Sequence, residues 1–242
     1  MNIKLELQYD GTNYHGWQTQ PRDVTVQSTL TRAIAEVTAQ RVKVTGCGRT
    51  DSGVHALKYI ANFICDTTIP LDKLPLALNA HLPPDIVIHR AEEAAEDFRA
   101  GDSVRKTYIY KILNTKMPDA FLRNYSWHFK YDLDISKMQE AAKAFLGEHD
   151  FIGFASSGFS VKTTVRTIYS LDVRKNHDII EIEVSSNGFL YNMVRIIAGT
   201  LVNMGNGSID YRSAADIIAS HDRRQAGITA PPQGLFLKEV FY

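Results

Sequence analysis

The chain has 242 residues, a length that suits one large domain or two compact halves around a buried core. Hydrophobic residues make up 44% and charged residues 22%, which excludes an intrinsically disordered chain and fits a globular protein. Lysine and arginine together number 27, as do aspartate and glutamate, so the chain lacks the overall basicity of many nucleic-acid-binding proteins. A zero net charge is still compatible with a locally basic cleft.

Cysteine usage and the N-terminal pattern bear on the compartment. The two cysteines, Cys47 and Cys65, form neither a disulfide framework nor a C-x-x-C zinc motif. Residues 1–6 alternate between apolar and polar side chains, which predicts a strand and not a signal peptide. No apolar run approaches the length of a membrane span. We therefore expect a cytoplasmic protein with reduced thiols.

The first part of the chain predicts a mixture of strands and helices. Residues 3–9 alternate as a half-buried strand does, and Asp10 and Gly11 mark the turn after it. From Val26 the apolar spacing becomes helical, with Thr25 as the N-cap. The remaining predicted elements of this part are strands at 42–45, 59–64 and 86–89 and a helix at 71–82.

The second part repeats this mixture. Its predicted strands are 106–113, 165–173, 179–185 and 235–241, and its predicted helices are 138–146, 190–201 and 210–220. Neighbouring strands that can pair directly favour an α+β fold over a doubly wound parallel sheet. We expect two α+β halves, residues 1–100 and 101–242, with a cleft between them in which a polymer substrate can lie.

The segment richest in side chains that can take part in catalysis is residues 46–56, GCGRTDSGVHA, a glycine-rich loop between two predicted strands. It lacks the lysine of a phosphate-binding loop and the spacing of a dinucleotide fingerprint. Ser52, His55 and Asp51 are close in sequence, but no nucleophile elbow surrounds the serine. From the residues alone, Asp51 is a nucleophile, a general base or one half of a buried ion pair with an arginine.

Residues 48–56 (GRTDSGVHA) closely resemble the nucleophile motif of the TruA family of tRNA pseudouridine synthases. Four more segments resemble that family and occur in its order along nearly the whole chain. They are residues 9–20 (YDGTNYHGWQTQ), 78–86 (LNAHLPPDI), 189–201 (FLYNMVRIIAGTL) and 230–235 (APPQGL).

The resemblance implies a pseudouridine synthase fold: two similar α+β halves on antiparallel sheets, with helices packed on one side and the catalytic cleft between the halves. It implies a homodimer that grips tRNA and isomerises uridines of the anticodon stem and loop, at tRNA positions 38, 39 and 40. It implies no cofactor and no catalytic metal. The first half would carry the nucleophile loop, and the second half the Tyr108 strand and the Arg195 helix.

The resemblance also assigns roles to four residues. Asp51 is the essential carboxylate at the sugar, Arg195 the cation beside it, and Arg49 an RNA contact that helps to displace the target nucleotide, because the base must leave its stack. Tyr108, in residues 105–110 (RKTYIY), would stack on the uracil. Tyr110 lies on the same face of the strand as Tyr108, so the two tyrosines could be mistaken for each other. Without the resemblance, a core tyrosine is an equally good interpretation of Tyr108, a structural ion pair is the alternative for Arg49, and a solvated helix residue is the default for Arg195.

The sequence departs from the family pattern at two places. Ser52 stands where alanine is commoner in the family, and Gly101 and Asp102 stand where an arginine and an aromatic residue are usual, which affects RNA contacts and not Asp51.

Two rival functions are an RNA-binding module without catalysis and a small hydrolase that uses Asp51 or Ser52. The additional candidates for phosphate contact are Arg22, Arg99, Arg105, Lys106, Lys111, Lys162 and Arg166.

Overall fold

The computed structural model describes residues 1–158 and 161–242, which form two compact units. The first unit consists of Met1–Val104 together with Phe236–Tyr242, and the second consists of Arg105–Leu235. Each unit combines helices with mainly antiparallel strands, which confirms the predicted α+β class. None of the helices in the described part of the chain has the length and apolarity that a membrane crossing requires.

The first unit is built around its first strand, whose two edges both carry antiparallel partners. Alternation explains this position: Ile3, Leu5 and Leu7 are fully buried, so the apolar face of the strand lies in the core. The strands are β1 (Asn2–Tyr9), β2 (Thr45–Gly46), β3 (His55–Ile64) and β4 (Ile86–Ala94), in the order β4-β1-β3 with β2 on β3; the helices are α1 (Val26–Thr38) and α2 (Leu74–Asn79).

The centre of the second unit is a set of three antiparallel strands with a long apolar helix against it. Its strands are β5 (Arg105–Leu113), β6 (Trp127–His128), β7 (Gly147–Asp150), β8 (Val165–Asn176) and β9 (Ile179–Ser186), in the order β6-β5-β9-β8-β7; its helices are α3 (Ile135–Lys143), α4 (Met193–Gly205) and α5 (Ala214–Ser220). Helix α4 is buried over most of its surface, since it packs against both α3 and β5.

The last strand, β10 (Leu235–Phe241), pairs in parallel with β3, and the register places Phe236 opposite His55 and Leu237 opposite Ala56. Parallel neighbours need a long crossover connection, and here the whole of Arg105–Leu235 lies between the two strands in the sequence. The sequence-based division assigned residues 101–242 to a second half, whereas Phe236–Tyr242 lies in the first unit because of this pairing.

Three predicted elements are shorter in the structure, and one of them is the helix predicted at 210–220, which is α-helical only over Ala214–Ser220. The helix expected at 71–82 covers only Leu74–Asn79, because the Asn79 side chain leaves the helix pattern and bonds both the N–H and the C=O of Ile88 in β4. The strand expected at 42–45 is reduced to β2, since the carbonyl of Val44 accepts a hydrogen bond from the Gln27 side chain and not from a neighbouring strand.

Candidate active site

Asp51 lies in the loop that connects β2 to β3. The residue is half-buried, while the side chain of Arg49 two positions earlier is exposed. The backbone turns directly after Asp51, because the N–H of Val54 donates to the Asp51 carbonyl at 3.1 Å. The loop therefore presents a carboxylate and a guanidinium from one short, folded segment.

The N-terminal segment 9–20 supports this loop from the side. The N–H of Trp17 donates to the Thr50 carbonyl at 3.1 Å, and the N–H of Gly53 donates to the Tyr14 carbonyl at 3.3 Å. Gly16 has φ +78°, and a Cβ there would lie 2.3 Å from the Thr50 carbonyl oxygen. Only glycine combines this backbone conformation with such close approach, so the contact explains why a glycine precedes Trp17.

His55 joins the same two segments at the base of the loop. Its side chain is 1% exposed and stacks on Phe236 with ring centroids 4.6 Å apart. The N–H of Gly11 donates to its Nδ1 at 3.0 Å, and a carboxylate oxygen of Asp10 lies 3.1 Å from the same nitrogen. Ser52 donates instead to the Tyr14 carbonyl, so these contacts direct Ser52 and His55 to different partners and give the hydrolase hypothesis no support.

The second unit holds Tyr108 and Tyr110 in β5, and their environments differ. Tyr110 is fully buried and donates its hydroxyl to the Pro231 carbonyl at 2.7 Å. Burial raises the pKa of Tyr110, although the charge of Arg195 works in the opposite direction. Tyr108 is 8% exposed and meets Phe189 edge to face, with centroids 5.1 Å apart. Tyr110 is thus a core tyrosine. Tyr108, for which a core tyrosine was the alternative interpretation, is also buried and packs on an aromatic residue of segment 189–201.

Arg195 lies in the first turn of α4 and is half-buried between buried neighbours. Its Nη1 donates to Asn192 Oδ1 at 2.7 Å, and its Nε donates to the Ala230 carbonyl at 2.7 Å. The N–H of Ala230 returns a bond to the Arg195 carbonyl at 3.1 Å. Two of the five segments, residues 189–201 and 230–235, therefore meet at this guanidinium and fix its orientation.

Sequence reasoning missed Asn192, the residue that orients Arg195. Asn192 is the N-cap of α4 with a left-handed φ of 61°, and its amide also donates to the Ser156 hydroxyl. Asparagine tolerates that conformation better than most residues, and its place three positions before Arg195 was the available signal.

Several of the additional cations have partners within the second unit. Arg166 donates to the carbonyls of Thr163 and Val165, and burial lowers its pKa. Lys111 lies 3.9 Å from a carboxylate oxygen of Glu181. By contrast, Arg22 and Arg99 are exposed side chains of the first unit. Among residues 1–158 and 161–242, no group of three or more His, Cys, Asp or Glu side chains is arranged to hold a metal ion.

A family model described as tRNA pseudouridine synthase matches residues 7–101 and 141–242. The chain belongs to the tRNA pseudouridine synthase family. Both ranges include residues singled out above: Arg49 and Asp51 lie in the first, and Arg195 lies in the second. Tyr108 lies between the two matched ranges.

Curated relatives in the tRNA pseudouridine synthase family are similar over their full length. A protein of a Thermoanaerobacter species named tRNA pseudouridine synthase A is 51% identical, with 100% of this chain and 99% of the relative covered. A Clostridium tetani protein named tRNA pseudouridine synthase A 2 is 49% identical over 100% of this chain and 98% of its own. A solved Cbf5–Nop10–Gar1 complex matches 97% of this chain and 57% of its own chain at 11% identity, with a TM-score of 0.35, too low to support a conclusion.

Proposed function

We propose that this protein isomerises uridine to pseudouridine in the anticodon stem and loop of tRNA, with Asp51 as the essential carboxylate. The observation that carries the proposal is the full-length similarity to relatives named tRNA pseudouridine synthase A. It is supported by the loop geometry, in which Thr50 and Gly53, on either side of Asp51, form backbone hydrogen bonds with segment 9–20.

The reaction needs no redox partner and no external group. The C1′–N1 bond of the nucleotide breaks, the uracil turns, and a C1′–C5 bond forms; C5 then loses its proton to solvent and N1 gains one. The mass of the RNA is unchanged. Asp51 acts at the ribose, either by adding to C1′ or by removing a proton of the sugar, and both routes require an ionised carboxylate.

Three further residues act on the substrate in this proposal. Tyr108 stacks on the displaced uracil, a type of contact worth about 1–3 kcal/mol. Arg49, exposed beside Asp51, contacts RNA and helps to move the target nucleotide out of its stack. Arg195, oriented by Asn192 and Ala230, binds substrate through a guanidinium that is fixed before RNA arrives.

The same proposal includes the partners and the compartment. The substrate is tRNA, and the protein acts as a cytoplasmic homodimer. The Asp51 loop belongs to the first unit, and Tyr108 and Arg195 belong to the second. Sedimentation equilibrium over a range of protein concentrations tests the dimer.

An assay with unmodified tRNA that carries tritium at uridine C5 tests the reaction. The wild type should release tritium to water and leave the RNA intact, while Asp51→Asn should bind tRNA and release none. Asp66→Asn is the matched control, because the side chain of Asp66 is fully exposed and far along the chain from the loop. Tritium retained by the wild type, or cleaved RNA, overturns the activity. Release by Asp51→Asn at the wild-type rate overturns the role of Asp51.

A further inference from the structure

Three aromatic side chains of the first unit form a buried cluster against the Asp51 loop. We call Tyr9, Trp17 and Tyr59 the aromatic cluster; their exposed fractions are 3%, 2% and 0%. Trp17 stacks on Tyr59 with centroids 4.1 Å apart, and Tyr9 lies 5.5 Å from Tyr59. A Cβ on Gly46 would lie 2.2 Å from the Tyr59 hydroxyl oxygen and 2.6 Å from the Trp17 ring. The cluster therefore packs directly against β2, the strand that precedes the loop.

The polar atoms of the aromatic cluster bond the loop residues that precede Asp51. The hydroxyl of Tyr59 donates to the Gly48 carbonyl at 2.5 Å. The hydroxyl of Tyr9 lies 2.8 Å from the Thr50 hydroxyl, inside the protein. The backbone N–H of Trp17 donates to the Thr50 carbonyl at 3.1 Å. Thr50 is thus held by its side chain and by its carbonyl, and the next residue along the chain is Asp51.

These contacts have the geometry of a support and not of a substrate site. The cluster is buried, so its hydroxyls face the loop from the protein side. Aromatic rings have few torsions and are packed here against one another, so a bond from such a ring fixes its partner better than one from a long flexible side chain. Reactions that depend on the alignment of two atoms are sensitive to this, because a shift of ~1 Å costs roughly a hundredfold in rate.

We propose that the hydroxyls of Tyr9 and Tyr59 are positioning groups that set the location of the Asp51 carboxylate through Thr50 and Gly48. The proposal rests on the proposed function, because it assigns to the cluster the placement of the essential carboxylate. Neither hydroxyl contacts the substrate. Their removal therefore slows the chemical step and leaves tRNA binding intact.

The test uses Tyr9→Phe and Tyr59→Phe, which keep the stacked rings and delete one hydroxyl each. With enzyme in excess over tRNA, the single-turnover rate of pseudouridine formation should fall about tenfold or more, because the loop loses a fixed point. The dissociation constant for tRNA, measured by filter binding, should stay within about twofold, because no RNA contact is lost. Tyr242→Phe is the control: the Tyr242 hydroxyl donates to the Ala100 carbonyl at 2.8 Å, outside the loop, so its loss should not alter the rate.

A second set of variants acts from the loop side and remains informative if a tyrosine variant folds poorly. Thr50→Val removes the hydroxyl partner of Tyr9 with little change in shape, and should slow the reaction as much as Tyr9→Phe does. Thr50→Ser keeps the hydroxyl and should restore most of the rate. Because the two hydroxyls form one contact, the double variant Tyr9→Phe/Thr50→Val should be no slower than the slower single variant.

Two results decide against the proposal. One is a wild-type rate in both tyrosine variants while their melting temperatures drop like that of Tyr242→Phe, which would make the hydroxyls contributors to stability alone. The other is an equal loss of rate in Thr50→Ser and Thr50→Val. A wild-type protein that forms no pseudouridine refutes the proposed function instead, so the two failures are distinguishable.

Discussion

Gly16 is a residue whose backbone lies in close contact with the Asp51 loop. An alanine there would adopt an unfavourable left-handed conformation and bring its Cβ to 2.3 Å from the Thr50 carbonyl oxygen. We predict that Gly16→Ala lowers the free energy of unfolding by about 2–4 kcal/mol, from strain plus steric overlap, and abolishes pseudouridine formation at temperatures where the protein stays folded. Urea denaturation and the tritium-release assay measure the two effects.

Gly207→Ala is the control for this prediction. Gly207 has φ +80°, nearly the same conformation, but nothing lies within 4 Å of the added Cβ. It should cost only the conformational strain, about 1 kcal/mol, and leave the reaction rate unchanged. Equal effects of the two alanines on stability and rate would show that the contact with Thr50 has no importance.

Arg195 is the second residue whose geometry leads to a prediction. Lysine keeps the charge, but a single ammonium cannot replace the two bonds that Nε and Nη1 make to Ala230 and Asn192. Arg195→Lys should therefore slow pseudouridine formation about tenfold or more. Arg212→Lys, in an exposed pair with Asp210, should keep the wild-type rate. A wild-type rate in Arg195→Lys would show that only the charge matters.

Among the helices, α1 begins where the sequence predicted, and its first turn explains why. Thr25 accepts a hydrogen bond from the Ser28 N–H, and the Ser28 hydroxyl in turn accepts one from the Thr25 N–H. This capping box satisfies two donors that the helix itself cannot pair. Thr25→Ala should lower the free energy of unfolding by about 1 kcal/mol more than Thr25→Ser, which keeps the hydroxyl. Identical urea midpoints for the two variants would contradict this role.

Strands with strong alternation were predictable because the signal is local. Residues 3–9, 106–113 and 235–241 were predicted as strands, and β1, β5 and β10 have nearly the same bounds. The partner of β10 was not predictable, because no local pattern specifies pairing with a strand as distant as β3. The ends of α2 and β2 were missed for a similar reason, since Asn79 and Gln27 bond backbone groups of other elements.

The candidate site shows the same limit. The residues of the loop 46–56 indicated a functional carboxylate, but they left three roles open for Asp51, and the resemblance supplied one of them. The supports of the loop, Gly16 and the aromatic cluster, come from distant segments and show themselves only in the fold. The default interpretation of Arg195 was a solvated helix residue. The structure shows that its side chain donates a hydrogen bond to the carbonyl of Ala230, 35 residues further along the chain.

For the protein as a whole, buried tyrosines predict sensitivity to alkaline pH. Burial raises the pKa of Tyr110 above the ordinary 10.0, and burial with the hydrogen bond to Asp85 does the same for Tyr14. Above pH 10 the unfolded chain loses these protons while the folded chain keeps them, so the contribution of these tyrosines to the free energy of unfolding is constant below that pH and falls above it. Denaturant titrations at a series of pH values measure this decline.

Tyr110→Phe provides the control for the alkaline decline. Removing the group should make the slope above pH 10 shallower by about 1.4 kcal/mol per pH unit, the value for one retained proton. The variant should also be less stable at neutral pH by about 1 kcal/mol, since the Pro231 carbonyl loses its donor. An unchanged slope would place the alkaline transition elsewhere in the protein.

The pairing of β10 with β3 has a consequence for how the protein is made. A ribosome synthesises Met1–Val104 first but delivers the strand that completes this unit only after the whole of Arg105–Leu235. Until then, β3 lacks β10 as its partner strand, and the His55 ring lacks the stacking contact with Phe236. The N-terminal unit therefore cannot complete its sheet until the last residues of the chain have been synthesised.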